Sequence, residues 1–324
     1  MIKSTTPLTA LALLMAIGLQ ATPARAQLAR TYVSVAGNDG STCERPTPCR
    51  TFQGAHNKTA DQGEITVLDP GGYGAVTITK SISIINDGVG DAGPLVSGGA
   101  TGITIAAPPG SNVNLRGITV QGIGFGGGIG ILFNSGGSLT IDHCVVRGLT
   151  GDGNTGRGIV FDSTVAGTPS VSVLNSLVAD NAFYGIHVLP HASVNATLLV
   201  RGVEMIHNGA AGLFVNGVAA VGTINATMAD SFSANNEEGV FVFSNSGGAD
   251  THLTVLRSAL ANNSNVGLAV TGGPNASLLL GQTGVSGNKV GAFNLADGAV
   301  LQSFGDNYFD FGNTAVRFAV IPRS

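Results

Sequence analysis

Apolar residues along this chain alternate with polar or variable residues in short runs, and most of these runs follow a glycine. Four such fragments read DNAFYGIHV (180–188), HNGAAGLFV (207–215), NNEEGVFVF (235–243) and NNSNVGLAV (262–270). The glycines that precede the runs recur in steps of 24 to 28 residues: Gly102, Gly130, Gly158, Gly185, Gly212, Gly239, Gly267 and Gly291. A fixed period of this length indicates an internal structural repeat.

The alternation has the two-residue period of a β-strand, as in LTID (139–142), VSVLN (171–175) and LTVL (253–256). Glycine and proline interrupt the apolar runs before a helix of ordinary length can form. A unit of ~27 residues is too short for a four-stranded propeller blade, but it holds three short strands and their turns. The sequence therefore predicts an all-β parallel solenoid over residues 64–310, with roughly nine coils stacked into a rod about 40–45 Å long.

Asparagines recur at one position of the repeat, shortly before the glycines: Asn181, Asn208, Asn236, Asn263 and Asn288. If every coil turns at the same place, these side chains stack, and their amides donate and accept hydrogen bonds along the rod. Such a ladder satisfies backbone groups at a buried bend, so we expect an architectural role rather than a catalytic one. The glycine that follows each asparagine is expected to take a positive φ before the next strand.

Both ends of a solenoid need covering, because open strand edges promote association. The segment PCRTFQGAHNKTADQG (48–63) is the best helix candidate, with Thr51 as its N-cap and Gly63 as its stop. We expect residues 27–63 to form an N-terminal strand and a capping helix. Residues 311–324 depart from the period and are predicted to form a C-terminal cap.

The first 26 residues have the pattern of a cleavable export signal. Lys3 gives a positive start, residues 8–19 are apolar, and Ala24-Arg25-Ala26 offers a cleavage site of small residues. The apolar run is short for a bilayer span, and no later segment is long and apolar enough to cross one. We therefore expect a single folded domain, 1–26 being removed, that is secreted or periplasmic.

Composition narrows the class of protein further. Glycine supplies 49 of the 324 residues without a three-residue period, which excludes collagen, and 43% hydrophobic content argues against disorder. The formal net charge is −4 at pH 7, so the chain lacks the basic surface that a nucleic-acid partner requires.

The three cysteines fall into two groups. Export permits disulfides, and Cys43 and Cys49 enclose ERPTP, whose prolines favour a tight loop, so we expect these two to pair. Cys144 lies in a strand pattern and is interpreted as a buried core thiol, with a reactive nucleophile as the alternative.

Residues 32–84 resemble the N-terminal block of bacterial right-handed parallel β-helix proteins of the pectin-lyase-like superfamily. In that block a Y-V-S-x-x-G-x-D opening precedes a P-x-x-T-x-x-x-A capping helix, a strand and a glycine–aromatic turn. The matching residues are Tyr32, Val33, Ser34, Gly37, Asp39, Pro48, Thr51, Ala55, Gly72 and Tyr73. The resemblance implies a right-handed parallel β-helix. It implies little about function, because the superfamily includes lyases, hydrolases, epimerases, tailspikes and adhesins.

The chemistries of the superfamily indicate which motifs to look for. Pectate-lyase-type members use a calcium ion held by several carboxylates, with an arginine or lysine as base. The acidic residues here stand singly in different coils: Asp142, Asp162, Asp180, Glu204 and Asp230. The polygalacturonase motifs are absent, and IDHC (141–144) lacks the proline of the epimerase D-P-H motif. No metal site is predicted, and no cofactor is expected unless calcium serves a lyase.

The densest group of ionisable residues lies between positions 116 and 147. Aligning NLRGITV, TIDHCVV and LVRGVEM places Arg116 and Asp142 at equivalent positions of consecutive coils, with His143 and Arg147 nearby. A guanidinium can neutralise a uronate carboxylate, and a histidine or arginine can abstract the adjacent proton. These four residues are the candidate catalytic group. The alternative is an exposed ion pair with ordinary turn residues.

Three functional hypotheses follow from the sequence. The first is an exported scaffold whose long flat face binds polysaccharide or another surface without turnover. The second is a lyase or epimerase that acts on acidic glycans. The third is an adhesin or tailspike-like rod, which would be oligomeric. The missing catalytic motifs and the sparse charge favour the first hypothesis.

Overall fold

A computed structural model describes residues 27–123, 127–151, 155–294, 298–310 and 319–321. The predicted export signal lies outside these ranges, and so does most of the predicted C-terminal cap. Within them the chain is a parallel β-solenoid of about 10 turns with almost no helix, which confirms the predicted all-β class. No helix among the described residues is long and apolar enough to cross a membrane.

Three long parallel sheets run the length of the rod, and each coil passes through them in a fixed order. The first sheet contains β1 (Leu28–Val33), β2 (Thr59–Val67), β5 (Ile82–Ile85), β9 (Asn112–Arg116), β12 (Ser138–Asp142), β15 (Ser170–Leu174), β18 (Ser193–Arg201), β21 (Val221–Ala229), β24 (Asp250–Leu256), β27 (Ala276–Gly281), β30 (Val300–Ser303) and β32 (Ala319–Val320). The second sheet contains β7 (Leu95–Val96), β10 (Thr119–Gly122), β13 (Val145–Arg147), β16 (Leu177–Ala179), β19 (Glu204–Ile206), β22 (Phe232–Ala234), β25 (Ala259–Ala261), β28 (Gly284–Ser286) and β31 (Tyr308–Phe309).

The third sheet contains β4 (Val76–Ile78), β8 (Thr101–Ala106), β11 (Ile129–Ser135), β14 (Arg157–Phe161), β17 (Ile186–Val188), β20 (Ala211–Asn216), β23 (Glu238–Phe243), β26 (Val266–Thr271) and β29 (Val290–Asn294). A small pair, β3 (Gly71–Gly72) and β6 (Ala92–Gly93), completes the sheets of the described chain. We name the connections in chain order: the first turn joins the first and second sheets, the second turn joins the second and third, and the third turn leads to the next coil.

The core is a stack of side chains from equivalent positions of successive coils. Residues of β18 in the first sheet alternate strictly between buried and exposed, because one face meets the core and the other meets solvent. Val173 pairs in register with Val200, and both are fully buried. Since β-branched and aliphatic side chains pack well on a pleated surface, each inward position forms a continuous apolar column.

The described part of the chain begins with a block around one short helix, α1 (Phe52–Lys58). Thr51 Oγ1 accepts a hydrogen bond from the Gly54 N–H at 2.9 Å, as an N-cap does. The helix ends at Lys58, five residues before the expected stop at Gly63, because Thr59 already pairs with Leu28 in the first sheet. That this block closes the end of the core stays a prediction. The Cys43–Cys49 disulfide is present, which confirms that pairing.

The glycines that mark the repeat do not have the conformation expected of them. None of these eight glycines has a positive φ among the described residues. A Cβ on Gly239 would lie 2.2 Å from the Gly267 carbonyl oxygen, and one on Gly185 would lie 2.7 Å from that of Gly212. The expectation of a positive φ was therefore wrong: glycine is needed here because adjacent coils approach closely.

Candidate functional site

The first turn presents a row of side chains on the outside of the rod. In the coils from β9 to β27, one residue takes the left-handed conformation and one buried residue follows before the second sheet begins. The non-glycine residues at the left-handed position are His143, Asn175, Asp230, Arg257 and Gln282, with φ between 45° and 51°. Because few residues adopt this conformation readily, the repeated turn shows that the local geometry is fixed by the stacking of the coils.

Arg116 and Asp142 lie side by side at the ends of β9 and β12, as the alignment of the repeats predicted. The carboxylate that pairs with the Arg116 guanidinium is nevertheless that of Asp87, with Nε and Oδ1 3.5 Å apart. Both side chains of this pair are more than half exposed, so solvent screens it and it contributes little to stability.

Asp142 and His143 form a hydrogen-bonded pair at the same turn. His143 Nδ1 lies 2.7 Å from Asp142 Oδ1, and Asn175 Nδ2 donates to the same oxygen at 3.1 Å. Partial burial opposes ionisation of the carboxyl, but these two hydrogen bonds, together with the coulombic effect of His143 and Arg116, outweigh burial and hold the pKa of Asp142 below its ordinary value. The ionised carboxylate favours a proton on His143 Nδ1, which leaves Nε2 for a ligand.

Arg147 stands apart from the other three candidate residues. It ends β13 on the outside of the second sheet, and its Nη2 donates to Gln121 Oε1 at 3.3 Å. Arg116 and His143 line one depression of the surface together, whereas Arg147 is not among the residues that line it. The structure therefore brings Arg116, Asp142 and His143 together and leaves Arg147 outside the group.

Two adjoining depressions, which we call the first-turn groove, follow this row of residues. One has a volume of about 640 Å³ and extends from the loop at 86–91 to His143 and Val145. The other, of about 370 Å³, extends from the same two residues to Gly202 and Glu204. Together they cross five consecutive coils, so the groove is long, open and parallel to the rod.

The carboxylates of this groove do not fit a calcium site. Asp87 is paired with Arg116, Asp91 accepts a hydrogen bond from Thr119 at 3.2 Å, and Asp142 accepts those described above. Within the described ranges no three histidine, cysteine, aspartate or glutamate side chains converge as metal ligands would. Because calcium takes six to eight oxygen ligands, the residues of this groove support no calcium-dependent step.

Cys144 belongs to a second ladder, which was not predicted from the sequence. The buried residue of the first turn is a serine or threonine in four coils: Ser176, Ser231, Ser258 and Thr283. Each hydroxyl donates to the carbonyl two residues earlier, as Ser231 does to Ala229 at 2.7 Å. Cys144 Sγ repeats this contact with the Asp142 carbonyl at 3.4 Å, and burial raises the pKa of its thiol to about 12. The cysteine is thus a structural member of the turn, since a nucleophile needs a thiolate.

The five repeated asparagines stack at the second turn. Asn208 Nδ2 donates to Asn236 Oδ1 at 3.0 Å, and the Asn208 backbone N–H donates to the same oxygen at 2.8 Å. Equivalent amide contacts join Asn181 to Asn208, Asn236 to Asn263 and Asn263 to Asn288, at 2.8 to 3.3 Å. These side-chain amides therefore hydrogen-bond to one another within the fold, and their role is structural rather than catalytic.

An aromatic stack covers part of the outer face of the third sheet. His187, Phe214 and Phe241 are register neighbours there, with ring centroids 4.9 and 4.7 Å apart and nearly parallel planes. Tyr184 packs against His187 and Phe214, and the Arg157 guanidinium lies 5.8 Å from the Tyr184 ring centroid. The signal for this stack was in the sequence, because His187, Phe214 and Phe241 each stand two positions after a repeat glycine.

A comparison with solved structures finds the pectate lyase Pel9A, with a TM-score of 0.59 over 89% of this chain and 78% of that chain. The chain has the pectin-lyase-like fold. At 15% sequence identity the likeness of this β-helix to Pel9A shows the fold alone. A lacto-N-biosidase from Eubacterium ramulus matches with a TM-score of 0.40 and 12% identity over 90% of this chain and 67% of that chain, too weakly to support an argument. No family model and no curated protein matches the chain.

Proposed function

We propose that this β-helix is an exported protein that binds a polysaccharide chain along the first-turn groove without cleaving it. The observation that carries the proposal is the open groove across five coils. Enclosed cavities suit small ligands, whereas an open groove parallel to a rod suits an extended polymer that makes many similar contacts. Along its floor lie Thr119, Val145, Leu177 and Glu204, which combine apolar contact with hydrogen-bonding groups.

Binding without cleavage is favoured by the state of the ionisable residues at the groove. Arg116 is paired with Asp87, and Asp142 is held by His143 and Asn175. A lyase needs a cation at the uronate carboxylate and a base at the adjacent carbon in the same place. Here Arg116 is already neutralised by Asp87, and the two other aspartates in or beside the groove, Asp91 and Asp142, would repel a uronate.

Export of the protein is part of the proposal. The Cys43–Cys49 disulfide is consistent with an oxidising compartment, and so is the likeness to a pectate lyase fold. Residues 1–26 would be the signal that directs the chain there. A secreted or periplasmic location would bring the groove into contact with cell-wall or environmental glycans.

A second candidate function, that of a lyase or epimerase acting on acidic glycans, is favoured by the Asp142–His143 pair. The carboxylate orients the imidazole through Nδ1, and Nε2 would then act as the base that removes the proton next to a uronate carboxylate. In this hypothesis Arg116 would leave Asp87 and bind the substrate carboxylate.

Affinity electrophoresis in gels that contain single soluble polysaccharides, both neutral polymers and polyuronates, tests the proposed function. The protein should be retarded by at least one polymer, and His143→Asn should weaken that binding by about tenfold. His191→Asn is a matched control, because His191 is an exposed histidine whose Nδ1 lies 2.6 Å from Asp162, but at the third turn. Unretarded migration in every gel would refute the proposal. Formation of unsaturated uronate products, seen by ultraviolet absorbance, would establish the lyase instead.

A further inference from the structure

One column of outward-facing residues runs along the second sheet and continues the floor of the first-turn groove. The register of the strands aligns Thr119, Val145, Leu177, Glu204, Phe232, Ala259, Gly284 and Tyr308. The first four line the groove. A polymer lying in the groove along the rod therefore meets the last four without changing direction.

Phe232 and Tyr308 differ from the aromatic residues of the third-sheet stack in what their rings contact. Phe232 is 38% exposed and Tyr308 is 68% exposed, and neither stacks on another aromatic ring within the described ranges. Phe214 and Phe241, by contrast, cover one another's faces. The faces of Phe232 and Tyr308 thus remain available to a ligand, while those of the third-sheet stack are already used.

The surface between these two rings is flat. Ala259 and Gly284 separate them, and a Cβ on Gly284 would meet nothing within 4 Å. In the neighbouring column of the same strands lie Ala261 and Ser286. Three strand spacings put the two rings about 14 Å apart along the rod. No large side chain in either column interrupts the path from one ring to the other.

Polar side chains border this flat surface on both sides. At the second turn a groove of about 770 Å³ is lined by residues that include Asn235, Glu237 and Asn262, all of them exposed. At the first turn Arg257 donates to both carboxylate oxygens of Asp230, at 2.7 and 3.0 Å. An apolar floor between polar margins matches a sugar ring, which has apolar C–H faces and a rim of hydroxyl groups.

We infer that Phe232 and Tyr308 form an aromatic platform for the sugar rings of a neutral, extended polysaccharide. The inference rests on the proposed function, because it takes the platform as the continuation of the same polymer track. Neutral polymers are specified because no charged side chain lies between the two rings in either column. The charged residues beside the column, Arg201, Asp230 and Arg257, are held in ion pairs with one another. The platform binds by ring contact, and its polar margins select hydroxyl groups.

Binding to hydroxyethylcellulose, galactomannan and xylan, each measured with the full chain by affinity electrophoresis, tests the platform. Phe232→Ala and Tyr308→Ala should each weaken binding to at least one of these polymers by about threefold to tenfold. Tyr308→Phe keeps the ring and should retain binding. Gly284→Arg blocks the floor without removing a ring, and the open space around this glycine should allow it to fold. Val221→Ala, at an exposed residue of the first sheet, is the control.

The outcomes separate this inference from the proposed function. If the wild-type protein binds none of the three neutral polymers, the platform is wrong, even if a polyuronate is bound. Binding to a neutral polymer could fall with His143→Asn but be unchanged in Phe232→Ala, Tyr308→Ala and Gly284→Arg. That result would support polymer binding in the first-turn groove and refute the platform. Loss in the platform variants, with unchanged thermal unfolding, would establish it.

Discussion

Buried polar side chains of this β-helix differ in whether they have hydrogen-bond partners. Asn208 donates and accepts within the ladder of the second turn, and Cys144 bonds to a carbonyl of its own turn. His187 is equally buried, at 2% exposure, but neither ring nitrogen has a hydrogen-bond partner among the described residues. Burial, together with the charge of Arg157, lowers the pKa of His187 to about 3. This histidine is therefore neutral and behaves as one more ring of the stack.

The neutral state of His187 has a consequence for stability in acid. Its folded pKa lies below the ordinary value of 6.5, so between these values the unfolded chain binds a proton that the folded chain does not. The free energy of unfolding must then fall as the pH drops from 6.5 towards 3, by at most about 1.4 kcal/mol per pH unit from this residue. His187→Phe keeps a ring beside Tyr184 and Phe214 but removes the proton uptake.

Urea unfolding of the wild-type protein and His187→Phe at about pH 7 and about pH 4.5 measures this effect. The variant should lose less stability than the wild type on acidification, and the two should be similar at the higher pH. Parallel losses in the two proteins would show that His187 does not carry the acid sensitivity. The other charged or titratable groups around this ring are Arg157, Tyr184 and His191, and they are unchanged in the comparison.

Among the structural elements, the third-sheet strands that begin near a repeat glycine are tightly constrained at their start. A Cβ on Gly239 would approach the Gly267 oxygen to 2.2 Å and the Asn263 amide nitrogen to 3.0 Å. Gly239→Ala should therefore push two coils apart and destabilise the protein by roughly 1–3 kcal/mol. Gly284→Ala makes the same change in a strand where the added methyl meets nothing and should be nearly neutral. Equal chemical denaturation midpoints for the two variants would contradict this account of the repeat glycines.

The sequence predicted the kind of element and the period, because both leave a signal in every coil. A buried asparagine of the ladder, or a glycine where two backbones approach closely, tolerates few replacements. The same residue type is therefore found at the positions of neighbouring coils that are equivalent to Asn208 and Gly212. The role of the glycines could not be read in the same way, since a positive φ and a close contact both select glycine. The left-handed residue stands instead just before the asparagine, as His207 and Asn235 do.

The candidate site was harder to predict than the fold. Arg116 and Asp142 were correctly aligned, because they share one strand position. Asp87 was not anticipated as the partner of Arg116, since it comes from an irregular loop outside the period. Phe232 and Tyr308 were not predicted to share a column, because their strands, β22 and β31, have three and two residues and carry too little alternation to fix which residues face outward.

For the whole molecule, the solenoid architecture makes each coil depend mainly on the two beside it. Phe133 and Phe161 occupy one inward position of consecutive coils, are at most 1% exposed, and have ring centroids 5.2 Å apart. Stability in such a rod is approximately a sum of coil terms and of interfaces between neighbours. A defect at one coil should therefore weaken its neighbours first and distant coils less.

Phe161→Ala tests this property. Truncation leaves a cavity in the core between coils and should lower the free energy of unfolding by about 3–5 kcal/mol. Phe232→Ala makes the same change on the surface and should cost much less, because its ring is already 38% exposed. Hydrogen exchange should show the largest loss of protection in β11, β14 and β17, with a smaller loss in β26. A uniform loss in all coils would mean that the rod unfolds as a single cooperative unit and that the nearest-neighbour description fails.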